Sequence, residues 1–247
     1  MSHLILIRHG QSEWNLEKRF TGWVDVDLAA NGKLEACKSG ELLKDNNINI
    51  DYSFSSLQIR AINTLKLVHN TMRIKETFTK AWQLNERHYG ALTGLNKDEM
   101  KKKFGEKKVH EFRRSWNIKP EPLNKNNPYH PINIETYKDI PKENLPDTES
   151  LEDTYNRVLP YYKKNIENKI LEGKNILIVA HGNSIRAMCK YLFKLDEKKI
   201  SLLEIPTGNP LVINFEKNKI VKCKYLDKSR AKAVSYTHLT LPTNREV

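Results

Sequence analysis

Leu4-Ile5-Leu6-Ile7-Arg8-His9-Gly10 and Ile176-Leu177-Ile178-Val179-Ala180-His181-Gly182 repeat one pattern, an unbroken aliphatic run that ends in His-Gly. With 8 His and 10 Gly in 247 residues, chance supplies about 0.3 such pairs, so two at matched places take their weight from context. An aliphatic run without polar alternation is a strand covered on both faces, as in a parallel sheet flanked by helices. Ligands of open α/β sheets sit beyond the carboxyl ends of such strands. Both imidazoles are therefore expected at the same end of one sheet.

Working outward, the elements alternate in βαβ fashion. Leu34 to Leu43 reads as a helix and Asp51 to Phe54 as a short strand. Ser55-Ser56 reads as the cap of a helix with Ile62, Leu65 and Val68 on its apolar face and Arg60 near its start. Asp98 to Trp116 is helical in type and carries Arg113-Arg114. From Asn117 to Pro146 the periodicity stops, and six of the ten prolines lie there. A stretch of that kind is either a lid or substrate wall, or a tolerated surface insertion. Leu151, Tyr155, Val158, Tyr162 and Ile166 recur at helical spacing, with Pro160 expected to kink the helix. Ile185, Met188, Cys189, Leu192 and Phe193 form the cleanest amphipathic stripe, which places Gly182 and Asn183 at a helix N-terminus, where free N–H groups favour an anion. Leu211 to Phe215 and Ile220 to Tyr225 read as a hairpin around Asn218.

Composition bounds the partners. Apolar residues at 38% and charged residues at 29% fit a folded soluble domain. Lys and Arg exceed Asp and Glu by 42 to 30, which favours an anionic partner: nucleic acid, an acidic membrane face or a small polyanion. No nucleic-acid-reading motif accompanies the charge, so no nucleic-acid partner is expected, and Lys101-Lys102-Lys103 reads as solvated surface. Cys37, Cys189 and Cys223 are odd in number and show no C-x-x-C spacing, which suits free thiols in a reducing compartment; Cys189 falls on an apolar helix face and is expected to pack. Arg8 interrupts the first apolar stretch too early for a signal peptide, and no run is long enough to cross a bilayer, so a cytoplasmic protein without a membrane partner is expected. One domain over residues 1–233 is expected. Residues 234–247 read as a vector-derived read-through or disordered tail, and His238 is set aside with them.

Three roles compete for the histidine pair. Metal ligation wants further His or carboxylate ligands in a ligand pattern, and no H-x-x-x-H is present, so no metal is expected. Purely structural histidines fit poorly beside Arg8 and the polar run Gln11-Ser12-Glu13, because a guanidinium at the mouth of a sheet is costly to bury without an anion. Phosphoryl chemistry accounts for both: a neutral imidazole nitrogen attacks phosphorus, and nearby cations supply charge stabilisation. Arg8 and Arg60, if both close, would lower the His9 pKa and then pair with the phosphoryl oxygens.

Leu6 to Asn15 (Leu-Ile-Arg-His-Gly-Gln-Ser-Glu-Trp-Asn), Phe20-Thr21-Gly22-Trp23, Leu84 to Gly94, Ala180-His181-Gly182-Asn183-Ser184 and Ile205-Pro206-Thr207-Gly208 together resemble the cofactor-dependent phosphoglycerate mutases of the histidine phosphatase superfamily, over about Leu4 to Asp227. Arg8-His9-Gly10 alone would point only to the superfamily; the Asn85 to Gly90 string and Arg113-Arg114 point to the mutase branch. The resemblance implies an α/β three-layer sandwich, a mostly parallel central sheet with helices on both faces. It implies that His9 becomes phosphorylated, that Arg8, Arg60, Asn15 and His181 hold the phosphoryl group, and that Glu86 is the general acid and base, its pKa raised by burial. Ser12, Thr21, Gly22, Tyr89, Lys97, Arg113, Arg114, Gly182 and Asn183 are implied to bind a small phosphorylated carboxylic acid.

The implied activity is interconversion of 3-phosphoglycerate and 2-phosphoglycerate, primed by 2,3-bisphosphoglycerate and without metal, in a homodimer or homotetramer. A bisphosphoglycerate synthase or phosphatase, or a broad histidine phosphatase, is the alternative; Ser12 disfavours the synthase, whose members tend to carry Gly there. Gln11 stands where Glu is usual. Ala29-Ala30-Asn31 replaces the usual Ser or Thr cap, at a cost of about 1 kcal/mol unless Asn31 takes over. Relatives cover the site with a basic tail, and with that tail replaced after about Ala233 a larger share of hydrolysis over transfer is expected.

Overall fold

The computed structural model describes residues 1–232, so the expectations for residues 234–247 lie outside it. In chain order the elements are β1 (Ser2–Arg8), α1 (Glu13–Leu16), α2 (Ala30–Asp45), β2 (Tyr52–Ser55), α3 (Ile59–Met72), β3 (Thr79–Lys80), α4 (Lys97–Phe104), α5 (Glu106–Arg114), α6 (Leu151–Tyr162), α7 (Asn168–Leu171), β4 (Ile176–Ala180), α8 (Gly182–Leu192), α9 (Glu197–Leu202), β5 (Leu211–Glu216), β6 (Lys219–Tyr225) and α10 (Lys228–Lys232). The strands form one sheet in the order β3-β2-β4-β1-β5-β6. The first four run parallel, and β5 and β6 close the far side as an antiparallel hairpin.

Both aliphatic strands are sandwiched as their composition requires. Leu4, Leu6, Ile176 and Ile178 face one layer, with Val158, Tyr162, Ile185, Met188 and Cys189 from α6 and α8. Ile5, Ile7, Leu177 and Val179 face the other, with Leu43 of α2 and Ala61, Leu65 and Val68 of α3. Burying each such side chain contributes about 1.5–3 kcal/mol, so the aliphatic positions of β1 and β4 hold the sheet between two helical layers. The expected three-layer sandwich is what forms. Its register pairs Arg8 with Ala180, and the His9 N–H donates to the Ala180 carbonyl at 3.0 Å, which brings His9 and His181 to neighbouring strand ends. A close backbone approach seats the loop after β1 on α2: a Cβ on Gly10 would lie 2.1 Å from the Gly32 carbonyl oxygen, and one on Gly32 would lie 2.0 Å from that of Gln11.

Several elements differ from the sequence reading. Ser55-Ser56 does not cap α3; its N-cap is Gln58, and Asp25 Oδ1 accepts from the Ile59 N–H at 2.7 Å. Ile62 is only half-buried, and Ala61 takes its place on the apolar face. The stretch 98–116 is two helices, α4 and α5, divided at Gly105, whose φ of +83° ends α4 in a conformation that Gly adopts without strain. The helix runs through Pro160 and then widens into a π-helical turn over Lys163–Glu167 before α7, the ladder adjusting just past the residue that crowds it. Asn31 does not cap α2; its amide donates to Gln11 Oε1 at 3.2 Å. The proline-rich segment is packed into the domain. Tyr137 is fully buried with its hydroxyl donating to the Trp23 carbonyl, Leu123 N–H donates to the Asp147 carbonyl, and Glu121 O accepts from Ala91 N–H, so the segment buttresses the loops beside the strand ends. Among the described residues no helix is long and apolar enough to cross a membrane.

Candidate active site

Beyond the carboxyl ends of β1 and β4 lies a cavity lined by Arg8, His9, Asn15, Thr21, Gly22, Arg60, Glu86, Tyr89, Lys97 and Arg113. The His9 and His181 rings stand 4.9 Å apart, centroid to centroid. Both are buried. Burial first, and then the Arg60 and Arg8 charges, hold the His9 pKa well below its ordinary 6.5. His9 is therefore neutral at pH 7. Its Nδ1 lies 2.7 Å from the Gly10 carbonyl, which can only accept, so the proton sits on Nδ1 and Nε2 keeps its lone pair. His181 is lowered in the same way, by burial first and then by Arg60 and His9.

The cations are anchored through backbone carbonyls. Arg60, at the start of α3 and fully buried, donates to the carbonyls of Val24 at 2.9 Å and Gly22 at 2.8 Å. Arg8 Nη1 donates to the Ile205 carbonyl at 2.9 Å. Arg8 Nε and Thr21 Oγ1 are buried with no partner among the described residues, donors that a bound anion would satisfy. Lys97 donates to the Arg19 carbonyl at 2.7 Å, and burial followed by the Arg113 and Arg8 charges lowers its pKa to about 8. Each of these groups carries positive charge into little water. The donor set fits a ligand with several negative charges.

Glu86 faces the same space. Its Oε1 accepts from the Arg87 N–H at 2.8 Å and from the Asn183 N–H, at the start of α8, at 3.1 Å, while Oε2 accepts no bond from the described residues. Gln58 holds the backbone behind it, accepting from Glu86 N–H at 2.8 Å and donating to the Gly22 carbonyl at 2.8 Å. Nucleophile, anion cradle and a carboxyl group thus face one cavity.

The histidine phosphatase superfamily (branch 1) model matches residues 4–227. A 2,3-bisphosphoglycerate-dependent phosphoglycerate mutase of Pelagibacter ubique (strain HTCC1062) is 70% identical over 94% of this chain and 98% of its own. The chain belongs to this family. A Caulobacter sp. (strain K31) member is 50% identical over 94% of this chain and 97% of its own. Among solved structures, a mycobacterial glucosyl-3-phosphoglycerate phosphatase superposes with a TM-score of 0.65 at 20% identity, covering 91% of this chain and 97% of its own. An α-ribazole phosphatase of Shigella flexneri gives 0.64 at 19% identity, covering 88% and 93%. At such identities the structures speak for the fold alone.

Within this member of the phosphoglycerate mutase family, ten of the fifteen residues singled out from sequence line the cavity. His181 stands against His9 one layer out. Ser12 is fully buried and acts through Asn15: its N–H donates to Asn15 Oδ1 at 3.3 Å while its hydroxyl accepts from Asn15 N–H at 3.2 Å. Gly182 begins α8, and Asn183 donates to the Tyr89 hydroxyl at 3.1 Å. Arg113 lines the cavity, while Arg114, the next residue of α5, pairs with Glu204 at 2.5 Å. Gln58, Ser56, Arg87, Glu149 and Arg157 were not assigned to the site from sequence. Arg87 is fully buried with no guanidinium partner among the described residues, 5.4 Å from the Tyr89 ring centroid, a charge stored directly behind the cavity wall. The string Asn85 to Gly90 could have flagged it; nothing local to the other four would have.

Proposed function

We propose that this chain interconverts 3-phosphoglycerate and 2-phosphoglycerate as a 2,3-bisphosphoglycerate-dependent mutase, with His9 as the temporary phosphoryl carrier. A neutral, buried His9 with Nε2 unprotonated between two anchored guanidinium groups carries the reading. Bound 2,3-bisphosphoglycerate supplies the first phosphoryl group. Arg8, Arg60, Asn15 and His181 hold the phosphoryl oxygens, and Lys97, Arg113, Tyr89, Thr21 and Gly22 orient the carboxylated remainder. Glu86 takes the proton from the acceptor hydroxyl as His9 gives up its phosphoryl group. It returns a proton to the departing oxygen as Nε2 receives the next one. Each exchange forms one P–O bond as it breaks one P–N bond, or the reverse, and needs no redox partner.

One catalytic domain, acting in a homodimer or homotetramer, completes the proposal. The decisive experiment is intact-mass measurement after brief mixing with 2,3-bisphosphoglycerate. One added phosphoryl group in the parent and none in His9→Ala is expected; labelling that survives His9→Ala would overturn it. Phosphoglycerate turnover undiminished by a chelator is expected from the metal-free chemistry, and its loss would contradict that chemistry.

A further inference from the structure

Behind Glu86 sits a guanidinium with every donor engaged. Arg157, on α6, donates from Nη1 to the carbonyls of Gln83 at 2.7 Å and Asn85 at 3.0 Å, and from Nη2 to that of Glu86 at 2.9 Å. Its Nε and Nη2 also grip the two carboxylate oxygens of Glu149 at 2.6 and 3.0 Å. Glu149 in turn accepts from the His88 N–H at 2.7 Å, and its own N–H donates to the His88 carbonyl at 3.0 Å. Both side chains are at least nine-tenths buried. Three carbonyls of the short segment 83–86 are thereby fastened to α6, at the residue whose carboxyl faces the cavity. Neither residue lines that cavity.

We infer that Arg157 and Glu149 form a positioning clamp that sets the reach of the Glu86 carboxyl for proton transfer. The inference rests on the acid and base role proposed for Glu86. A clamp of this kind affects steps in which a proton must be delivered, and spares those in which it need not. Transfer to and from phosphoglycerate breaks a P–O bond to an alkoxide, which requires the Glu86 proton. Phosphoramidate presents the opposite case: His9 Nε2 attacks phosphorus, the P–N bond breaks, and ammonia departs with its bonding electrons and protons already in place. Misplacing an acid by about 1 Å costs on the order of 100-fold. A loss of that size should fall on one donor only.

The test compares Arg157→Lys, Glu149→Gln and Glu86→Gln with the parent in steady-state mutase turnover and in phosphoramidate labelling of His9, read by intact mass. Arg157→Lys keeps the charge but loses the fork that holds three carbonyls at once. It is expected to lower mutase kcat about 10- to 100-fold, leave KM within about 3-fold and leave the phosphoramidate rate within about 3-fold. Should Arg157→Lys fail to fold, Glu149→Gln carries the test, with the same separation at smaller size. Parallel loss of both rates, or loss of neither, would overturn the clamp while Glu86→Gln still separates the two donors. If Glu86→Gln itself fails to separate them, the reading of Glu86 falls, and the clamp with it.

Discussion

Ser56 bonds the ring of His181. Its Oγ accepts from the Gln58 N–H at 3.2 Å and lies 2.8 Å from His181 Nε2, which fixes the ring beside His9. Ser56→Ala removes that contact and is expected to slow His9 phosphorylation by 2,3-bisphosphoglycerate about 10-fold in rapid-quench labelling, with Ser56→Thr restoring it. An unchanged rate in Ser56→Ala would show that this contact does not matter. Lys97 supplies a pH signature. With its pKa lowered to about 8, the free enzyme loses this cation as the pH rises through that value, anion binding weakens, and kcat/KM should fall on the alkaline side. Lys97→Arg keeps the charge and should carry the fall to higher pH; a profile flat past pH 9 in the parent would contradict the assignment. At this scale the legible residues were those inside long motif strings, such as His9, Glu86 and Tyr89. Ser56, Gln58 and Arg157 act only through neighbours distant in sequence, and Arg157 lies on a helix whose apolar repeat says nothing of its outward-reading positions.

The helices show where local chemistry sets an element and where packing overrides it. The N-cap of α2 is Ala29, extended at φ −67° and ψ 164°, with no side-chain oxygen for the first free N–H groups. Asn31, the one local substitute, spends its amide on Gln11. Ala29→Ser places a hydroxyl at the capping position and is expected to stabilise the fold by about 1 kcal/mol, read as a higher urea midpoint at constant slope. No change would mean that those donors are already satisfied. α2 forms without a cap because Ala36, Ser39, Gly40 and Leu43 are buried along one side, and tertiary burial outweighs a missing terminal bond. The aliphatic strands, the α8 stripe and the closing hairpin were legible because their period matched their burial. β3, a two-residue edge strand, has no period to read, and the division of α4 from α5 depends on the single backbone conformation of Gly105.

A net charge of +12 cannot separate surface lysines paired loosely with carboxylates from Arg8, Arg60 and Arg113, whose guanidinium groups line one cavity. Charge counting alone therefore could not place the cations, which took motif and geometry. The same buried site ties activity to acid stability. His9, His181 and His88 are all held neutral by burial first, reinforced by neighbouring charge; His88 is lowered to about 3, with His130 the next cause. In the unfolded chain each returns to the ordinary 6.5 and takes up a proton below it, whereas the folded protein does not. Unfolding therefore absorbs protons, and stability is lost as the pH falls below 6.5 toward the folded values. Each fully developed proton difference contributes about 1.4 kcal/mol per pH unit, so the three together approach about 4 kcal/mol per unit, against a typical total of about 5–15 kcal/mol. Denaturant midpoints should drop steeply between pH 6.5 and 5, well above the window in which Asp153, lowered from 3.8, exchanges its proton. His88→Asn can still accept from the Gly90 N–H, which now bonds His88 Nδ1 at 3.0 Å, and should make that slope shallower by one proton's worth. A slope of zero across this interval, or one that His88→Asn leaves intact, would mean that these imidazoles are not the groups coupling acid to unfolding.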